Sequence, residues 1–398
     1  MPTDSPAYLR DPRLRTIRAH VLSRTQDGDA HVVVLSDTVL YPEGGGQPSD
    51  HGSIDGTPVA DVRKANGTIE HFVPAPIESD EVTVEVDWAR RFDHMQQHTA
   101  QHLVTAIAAD RFGWETTAFH LGERLCDIEL DAPALTPEDV ARLEEAVAEE
   151  VRAARPVTAR TVSLTAYEHL DVRSRGLPAG HSGDVRLIEI DGLDLNTCGG
   201  THCTTTAELE AVKLLGTESM RGGTRLFFVA GARLRARLGA AHARAAELRA
   251  LVGASDEELV SAVQTRIEQV KESGKAVRRL EEELAEAIAD GLVARAGAEP
   301  VVAEHWPDRQ LPFLQSAARA AIERAPQAVL LVTGGGEAQG VFLLAAGDQA
   351  GIDVGAIGPR VAEALDGRGG GSGSIFQGRA GALDGRTQAE ALIREALG

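Results

Sequence analysis

Two pairs of metal-binding residue types stand out in the sequence, and each pair has a spacing of four residues. His98 and His102 lie in "HTAQH", and Cys198 and His202 lie in "CGGTH". In a helix this spacing places both imidazoles on one face, one turn apart. In the second pair the two intervening glycines let the backbone turn tightly, so that a thiolate and an imidazole can converge. Together the pairs supply one cysteine and three histidines, a set that suits tetrahedral Zn²⁺, and we predict one zinc site.

Two other interpretations of these residues remain open at this point. Paired histidines four residues apart also arise by chance, and Cys198 with His202 resembles a nucleophilic Cys–His dyad. The dyad leaves His98 and His102 unexplained, which favours the metal site. Cys203 adjoins His202, and neighbouring side chains of an extended segment point to opposite faces. We therefore expect Cys203, like Cys126, to be a buried apolar residue.

The segments around these residues predict the elements that must position them. Residues 93–113 predict a helix because apolar and histidine positions recur at three- and four-residue steps, and Gly113 is a suitable end. Residues 183–197 predict a strand that leads into the Cys198 loop, and residues 225–231 predict a second strand. Thr136 and Pro137 predict the beginning of a helix over residues 135–156.

The whole chain predicts an α+β fold in four parts. Residues 1–92 have short β-branched runs between glycine-rich turns and predict a small β-barrel. Residues 93–232 form an α/β zinc-binding domain, and the Ala-, Glu- and Arg-rich residues 233–297 form a helical arm. Residues 298–398 form a small α/β domain with buried strands, a glycine-rich loop at 366–381 and a final helix.

Composition limits the function and the compartment. The chain of 398 residues carries a net charge of −20, which opposes unspecific binding to nucleic acid. A phosphate-binding surface would have to be local, and Arg221 and Arg225 are candidates for tRNA contacts. Three cysteines cannot form a disulfide framework, and no apolar run resembles a signal peptide or a membrane span. We expect a soluble, cytoplasmic protein.

Four segments carry a resemblance to a known family. "YPEGGGQPSDHG", "HTAQH" and "DGLDLNTCGGTH" resemble the signatures of the editing domain that alanyl-tRNA synthetase shares with free-standing AlaX alanyl-tRNA editing proteins. "GGGSGSIFQGRA" resembles the glycine-rich loop of the C-terminal domain in the synthetase and in long AlaX proteins. The editing domain is also like that of threonyl-tRNA synthetases. In this family the four metal positions match His98, His102, Cys198 and His202.

The resemblance implies an activity and further site residues. It implies a zinc-dependent aminoacyl-tRNA deacylase that acts in trans on tRNA(Ala) mischarged with serine or glycine, without aminoacylation. Gly45 and Gly46 would let the adenosine end of the tRNA approach, and Gln47 would orient water or the amino acid. Thr99 and Gln47 are the candidates to bind the serine hydroxyl. We expect tRNA(Ala) as the partner, and a homodimer formed through the helical arm or the C-terminal domain.

Two further functions compete with this one. The first is a non-enzymatic tRNA-binding protein, because four protein ligands close a zinc shell as they do in structural sites. The second is a zinc hydrolase of a small ester or amide, which the shortage of basic residues favours. Zinc either activates water or only shapes the pocket, and the sequence does not choose between these roles.

Overall fold

The structure of the chain is a computed structural model. It describes residues 5–28, 30–65, 67–173, 176–177, 183–336 and 340–398. It divides into two compact units, Met1–Glu247 and Leu248–Gly398. Helices are mixed with mainly antiparallel strands in both units, which confirms the predicted α+β class. In the described part of the chain, no helix combines the length and the apolar character that crossing a membrane requires. The predicted four-part division stays a prediction.

The N-terminal sheet is curved and nearly closed, where the sequence predicted a barrel. Its strand order is β4-β3-β7-β1-β2-β6-β5. Within the described residues no ladder joins the end strands β4 and β5. The edge strand β4 holds only three residues, and Pro58 in it has no N–H to donate. A short helix and seven strands make up this part: α1 (Ala7–Arg10), β1 (Thr16–Asp27), β2 (Ala30–Leu35), β3 (Gly52–Ile54), β4 (Thr57–Val59), β5 (Asp61–Ala65), β6 (Thr68–Val73) and β7 (Glu81–Val86).

The long helix α2 (Trp88–Phe112) forms the centre of the first unit. The side chain of Asp87 caps its beginning, and Gly113 ends it with φ 71°. The helix begins five residues before the predicted position 93, because the Asp87 side chain accepts from the Arg90 amide and caps the chain at that point. Its buried face packs on the sheet β13-β14-β9-β8 and on α3.

The other elements of the first unit complete the layer around α2. Residues 183–197 were predicted as one strand, but they form a hairpin of two strands because Asp191 and Gly192 make a turn. The capping box of Thr136 with Asp139 begins α3, as expected from Thr136 and Pro137. The elements are β8 (Glu115–Leu121), β9 (Cys126–Asp131), α3 (Pro137–Arg152), β10 (Val157–Val162), α4 (Leu164–Tyr167), β11 (Val185–Ile190), β12 (Asp194–Thr197), a 3₁₀ turn (Thr206–Leu209), β13 (Val212–Met220), β14 (Gly223–Ala230) and α5 (Gly231–Val252).

The second unit contains a five-stranded sheet with helices on both faces. The strand order is β15-β16-β17-β19-β18. Strands β16 and β17 are buried along their whole length because separate apolar clusters cover the two faces. The predicted glycine-rich loop is a hairpin of β18 and β19. The elements are α6 (Leu259–Ala296), β15 (Val302–Trp306), α7 (Leu311–Arg324), β16 (Val329–Gly334), β17 (Gly340–Ala346), α8 (Val354–Ala364), β18 (Arg368–Ser372), β19 (Ile375–Ala380) and α9 (Arg386–Ala396).

Candidate metal centre and adjoining cavity

Helix α2 and the loop after β12 bring the four predicted donors together. His98 and His102 lie on one face of α2, and Cys198 and His202 face them from the loop. One ligand atom from each of these residues lies within 4.8 Å of the others. The Cys198 sulphur lies 3.4 Å from Nε2 of His98 and 3.2 Å from Nε2 of His202. Residues a hundred positions apart thus meet at one point.

Each of the three imidazoles is held through its Nδ1 atom. His98 Nδ1 lies 2.9 Å from Oε1 of Gln47. His102 Nδ1 lies 3.2 Å from a carboxylate oxygen of Asp194, and His202 Nδ1 lies 3.2 Å from the Thr99 hydroxyl. An Nδ1 that donates to such an acceptor leaves the Nε2 lone pair available as a ligand. Each ring that carries its single proton on Nδ1 therefore offers Nε2 to a metal ion.

The glycine-rich loop of the N-terminal sheet also contributes to the centre. Gln47 is fully buried, and its Oε1 accepts a bond from the Thr201 amide at 3.0 Å. Its amide nitrogen donates to the Thr201 hydroxyl at 2.9 Å. A side chain at Gly200 would overlap both the His98 ring and Gln47. Position 200 therefore requires glycine, because the loop approaches α2 too closely for a side chain.

Charge and burial set the protonation of the donors. Burial alone would raise the pKa of the Cys198 thiol, but the imidazoles of His98 and His202 outweigh it and hold that pKa well below its usual range. Burial lowers the pKa of His202 to about 3. Burial opposes protonation of His102 as well, but the Asp194 carboxylate raises the His102 pKa to about 9. A thiolate beside imidazoles is the donor set that borderline-soft divalent ions prefer.

The chemistry of this set fits zinc. One thiolate and three imidazole nitrogens lie close enough to surround a single ion, and each ring is oriented by an outer hydrogen bond. A second group, His120, Asp127 and Glu129, also places ligand atoms close together, but it is more exposed and Arg225 already pairs with its carboxylates. The first group is therefore the candidate metal centre.

A cavity of about 560 Å³ opens beside the donors. Gly45 and Gly46 form one wall with positive φ angles of 56° and 83°, and a side chain at Gly46 would lie 2.7 Å from the Phe119 ring. Gly46 lets the backbone approach Phe119 closely, and the substrate contact predicted for both glycines stays a prediction. Other residues of the wall include Gln101, Thr105, Thr116 and Arg173.

The other predicted site residues lie in different surroundings. Gln47 and Thr99 were predicted to contact the substrate, and the structure places the polar atoms of both against the donor residues. Arg225 pairs with Asp127 and Glu129 on the outer sheet, and Arg221 lies exposed in the turn before β14. Neither arginine lines the cavity. Their roles stay predictions.

Sequence reasoning did not find three residues of the centre. Asp194 holds His102 and is itself bound by Arg173 at 3.0 Å. Arg186 donates to the carbonyl oxygens of Cys198 and Gly200 at 2.7 and 2.9 Å, which fixes the loop. Asp194 lies four residues before Cys198, but nothing in the sequence connects it to His102 on a distant helix. Cys126 and Cys203 lie in the apolar core as expected, and burial raises the pKa of each to about 12.

Comparison with known proteins finds a match in the first unit. The family model of the threonyl and alanyl tRNA synthetase second additional domain matches residues 185–227. This segment runs from β11 to β14 and carries Cys198 and His202. The fold and the centre thus define a protein of the class that bears this synthetase-associated domain.

Full-length relatives define the family. Alanyl-tRNA editing protein Aarsd1 of Danio rerio is 38% identical over 365 residues, which cover 91% of this chain and 88% of that protein. The Aarsd1 protein of Rattus norvegicus matches equally well. Alanine–tRNA ligase of Pyrobaculum neutrophilum is 32% identical over 95% of this chain, but the match covers 43% of the ligase. The chain belongs to the alanyl-tRNA editing protein family.

Proposed function

We propose that this chain is a hydrolase that edits tRNA(Ala) in trans by cleaving the ester of a wrongly attached amino acid. The substrate is Ser-tRNA(Ala) first and Gly-tRNA(Ala) second. The observation that carries the proposal is the Cys-His₃ cluster at the wall of a cavity of about 560 Å³, in a chain 38% identical to alanyl-tRNA editing proteins. Water adds to the ester carbonyl, and the free amino acid and a ribose hydroxyl are released.

The residues of the cavity suit the end of an aminoacyl-tRNA. Gly45 and Gly46 offer a backbone wall without side chains, against which an adenosine can lie. Arg173 lines another wall of the cavity, where Asp194 and Asp110 hold its guanidinium at 3.0 and 2.8 Å. The ester group is then directed toward the donors on α2, because the glycines and Arg173 occupy other walls.

His98, His102, Cys198 and His202 would hold one zinc ion. When bound, zinc supplies a Lewis acid that favours charge on a nearby oxygen. Because four protein donors fill a tetrahedral shell, we propose that the site chiefly shapes the pocket and orients the aminoacyl group. Gln47, Thr99 and Asp194 would keep the donor rings in place.

The test is the release of serine from Ser-tRNA(Ala) by the full chain, before and after removal of metal with a chelator. We expect release by the metal-loaded protein and its loss after chelation. Cys198→Ala is expected to lower zinc content and to abolish release, while Cys203→Ala, whose thiol lies in the core, keeps both. Serine release by Cys198→Ala at the rate of the unaltered protein would refute the proposed site. Metal binding without any release would support the non-enzymatic alternative.

We also propose a homodimer formed through α6. Its apolar side chains Val260, Ile267, Val270, Val277 and Leu280 are 52–72% exposed, and a stripe of this kind needs a partner. A second copy of the same helix offers the same stripe. In this proposal the second unit assists tRNA binding. All three cysteines are unpaired, which suits the reducing cytoplasm that we propose as its location.

A further inference from the structure

Gln101 combines burial at the cavity with an unused hydrogen-bonding atom. It lies on α2 one position before His102, lines the cavity and is 4% exposed. Its amide nitrogen donates to the Thr105 hydroxyl at 3.0 Å, and that hydroxyl also accepts from Thr116 at 3.1 Å. No residue in the described part of the chain donates to Oε1 of Gln101, and the atom is shielded from solvent.

The other buried glutamines of α2 show that this is unusual. Gln97 donates to the carbonyl of Ala230 at 3.0 Å and accepts from its amide at 2.9 Å. Gln96 donates to the carbonyl of Glu208 at 2.7 Å and accepts from the Ala232 amide at 3.1 Å. A buried carbonyl oxygen without a donor is costly, so buried amides are nearly always satisfied at both ends. The exception on α2 lies at the cavity wall.

We infer that Gln101 determines specificity by binding the side-chain hydroxyl of a seryl group esterified to tRNA. This inference rests on the proposed function and names the residue that would distinguish the substrate. The serine hydroxyl would donate to Oε1 and replace the missing hydrogen bond. The Thr105 hydroxyl accepts from the amide nitrogen and is itself a hydrogen-bond acceptor for Thr116, so Oε1 is the end of this amide that is left for a ligand.

This arrangement explains how such a site would spare correctly charged tRNA. An alanyl group has a methyl where serine has its hydroxymethyl, and it would leave the amide oxygen buried without a donor. A site built to hydrogen-bond a hydroxyl discriminates strongly against the analogue that lacks it. A purely apolar pocket discriminates poorly between the two, because serine is only slightly larger. Gln47 and Thr99, the other candidates for this contact, already bind His98 and His202.

The competing donor for Oε1 is the α-ammonium group of the aminoacyl ester. That group is common to seryl, glycyl and alanyl esters, so binding it would raise all three rates equally and give no discrimination. The two possibilities therefore differ in the serine-to-alanine ratio of kcat/KM, which depends on Oε1 only if this atom binds the hydroxyl.

The experiment compares full-length Gln101→Met with the unaltered protein on Ser-, Gly- and Ala-tRNA(Ala). Methionine keeps the length of the side chain and removes the amide. We expect kcat/KM on Ser-tRNA(Ala) to fall about ten- to a hundredfold, and kcat/KM on the glycyl and alanyl esters to stay within about twofold. The ratio of kcat/KM on the seryl ester to kcat/KM on the alanyl ester would then also fall about ten- to a hundredfold. An unchanged ratio overturns the inference, including the case where all three rates fall together.

Gln97→Met is the matched control, because Gln97 lies one turn earlier on the same helix and outside the cavity. It is expected to lower the melting temperature and to leave the serine-to-alanine ratio unchanged. Zinc content measured on each variant reports whether the centre survives, and Gln101→Ala replaces Gln101→Met if methionine does not fit. If the unaltered protein releases no amino acid from any of the three tRNAs, the proposed function fails. If it releases serine selectively and the Gln101 variants do too, only the role of Gln101 fails.

Discussion

Helices α2 and α6 are the two longest helices among the described residues, and they use their side chains in opposite ways. Helix α2 buries polar groups: His98, His102, Gln97 and Arg91 are each at most 4% exposed. Helix α6 exposes apolar groups along most of its length, and only a few of its residues near the end are buried. Helix α2 thus buries polar side chains in addition to apolar ones, whereas α6 leaves apolar side chains exposed, against the usual rule that they face inward.

The difference shows where function is concentrated. Burying a polar side chain costs free energy unless a partner is fixed beside it, and almost every buried polar atom of α2 has one. An exposed apolar stripe costs little in an isolated chain, but it offers a surface for association. A long helix whose buried face carries hydrogen-bonded polar groups thus indicates a binding or catalytic site. An uncovered apolar stripe indicates a surface for association with another chain.

The largest expected effect concerns the buried ion pair at the beginning of α2. Arg91 and Asp50 are both fully buried, and Arg91 also donates to the carbonyl of Pro12 at 3.0 Å. Arg91→Leu leaves a buried carboxylate without its cation and should lower the free energy of unfolding by about 3–5 kcal/mol. Arg279→Leu on α6 removes an exposed pair with Glu283 and should cost under about 1 kcal/mol. Urea unfolding measures both, and equal costs would remove the distinction between the helices.

The second effect concerns the support of the donor rings. Asp194→Asn keeps the shape of the side chain but weakens its bond to His102 Nδ1. We expect zinc affinity to fall by about 10–100-fold, as measured by competition with a chelator of known affinity. Asp191→Asn, in the turn of the same hairpin, should leave the affinity unchanged. An unchanged zinc affinity in Asp194→Asn would show that zinc binding does not depend on the bond from Asp194 to His102 Nδ1.

The third effect is a dependence of stability on pH that originates in α2. Burial, together with the nearby positive charge of Arg90, lowers the pKa of His94 to about 3. The unfolded chain takes up this proton below about pH 6.5 and the folded chain does not, so stability falls as pH falls from 6.5 toward 3. At pH 5 the loss is about 2 kcal/mol. His94→Gln should flatten the curve of unfolding free energy against pH below 6.5 and leave its slope above pH 7 unaltered; an equally steep curve below 6.5 would contradict the assignment.

The smallest effect on stability is expected on α6. Ile267→Lys places a charge on the exposed stripe, and the free energy of unfolding of the monomer should change by no more than about 0.5 kcal/mol. The same variant should convert the proposed homodimer to monomer, as followed by light scattering after size exclusion. Lys271→Ile, which adds an apolar residue to the same helix, tests the opposite direction. A mass that is the same for all three proteins would contradict dimerisation through α6.

The sequence indicated the donors better than it indicated their surroundings. The four-residue spacings of His98 with His102 and of Cys198 with His202 follow from local backbone geometry, so they are visible in one dimension. The partners of their Nδ1 atoms come from separate strands and loops, and no local pattern connects Asp194 or Gln47 with a histidine on α2. The missing hydrogen-bond donor for Oε1 of Gln101 depends on the folded structure, so it could not be predicted from the sequence either.

The fold was predictable to a similar depth. Capping by Thr136 and the buried runs of β16 and β17 are local signals, and both predictions hold. Closure of the N-terminal sheet depends on whether its two edge strands pair. The short strand β4, which contains Pro58, does not pair with β5. The glycines of residues 366–381 suggested a loop, but cross-strand pairing with β19 makes β18 an extended strand.

The Nδ1 bonds of the three imidazoles have a consequence for how the protein acquires its ion. Gln47, Thr99 and Asp194 fix each ring during folding, so the conformational entropy of ordering the rings is lost before any ion arrives. Loading should then proceed without refolding, at a rate set by dehydration of the ion and by release of protons from the donors. The ion-free and ion-bound proteins should give the same backbone amide exchange pattern outside the loop of Cys198 and His202.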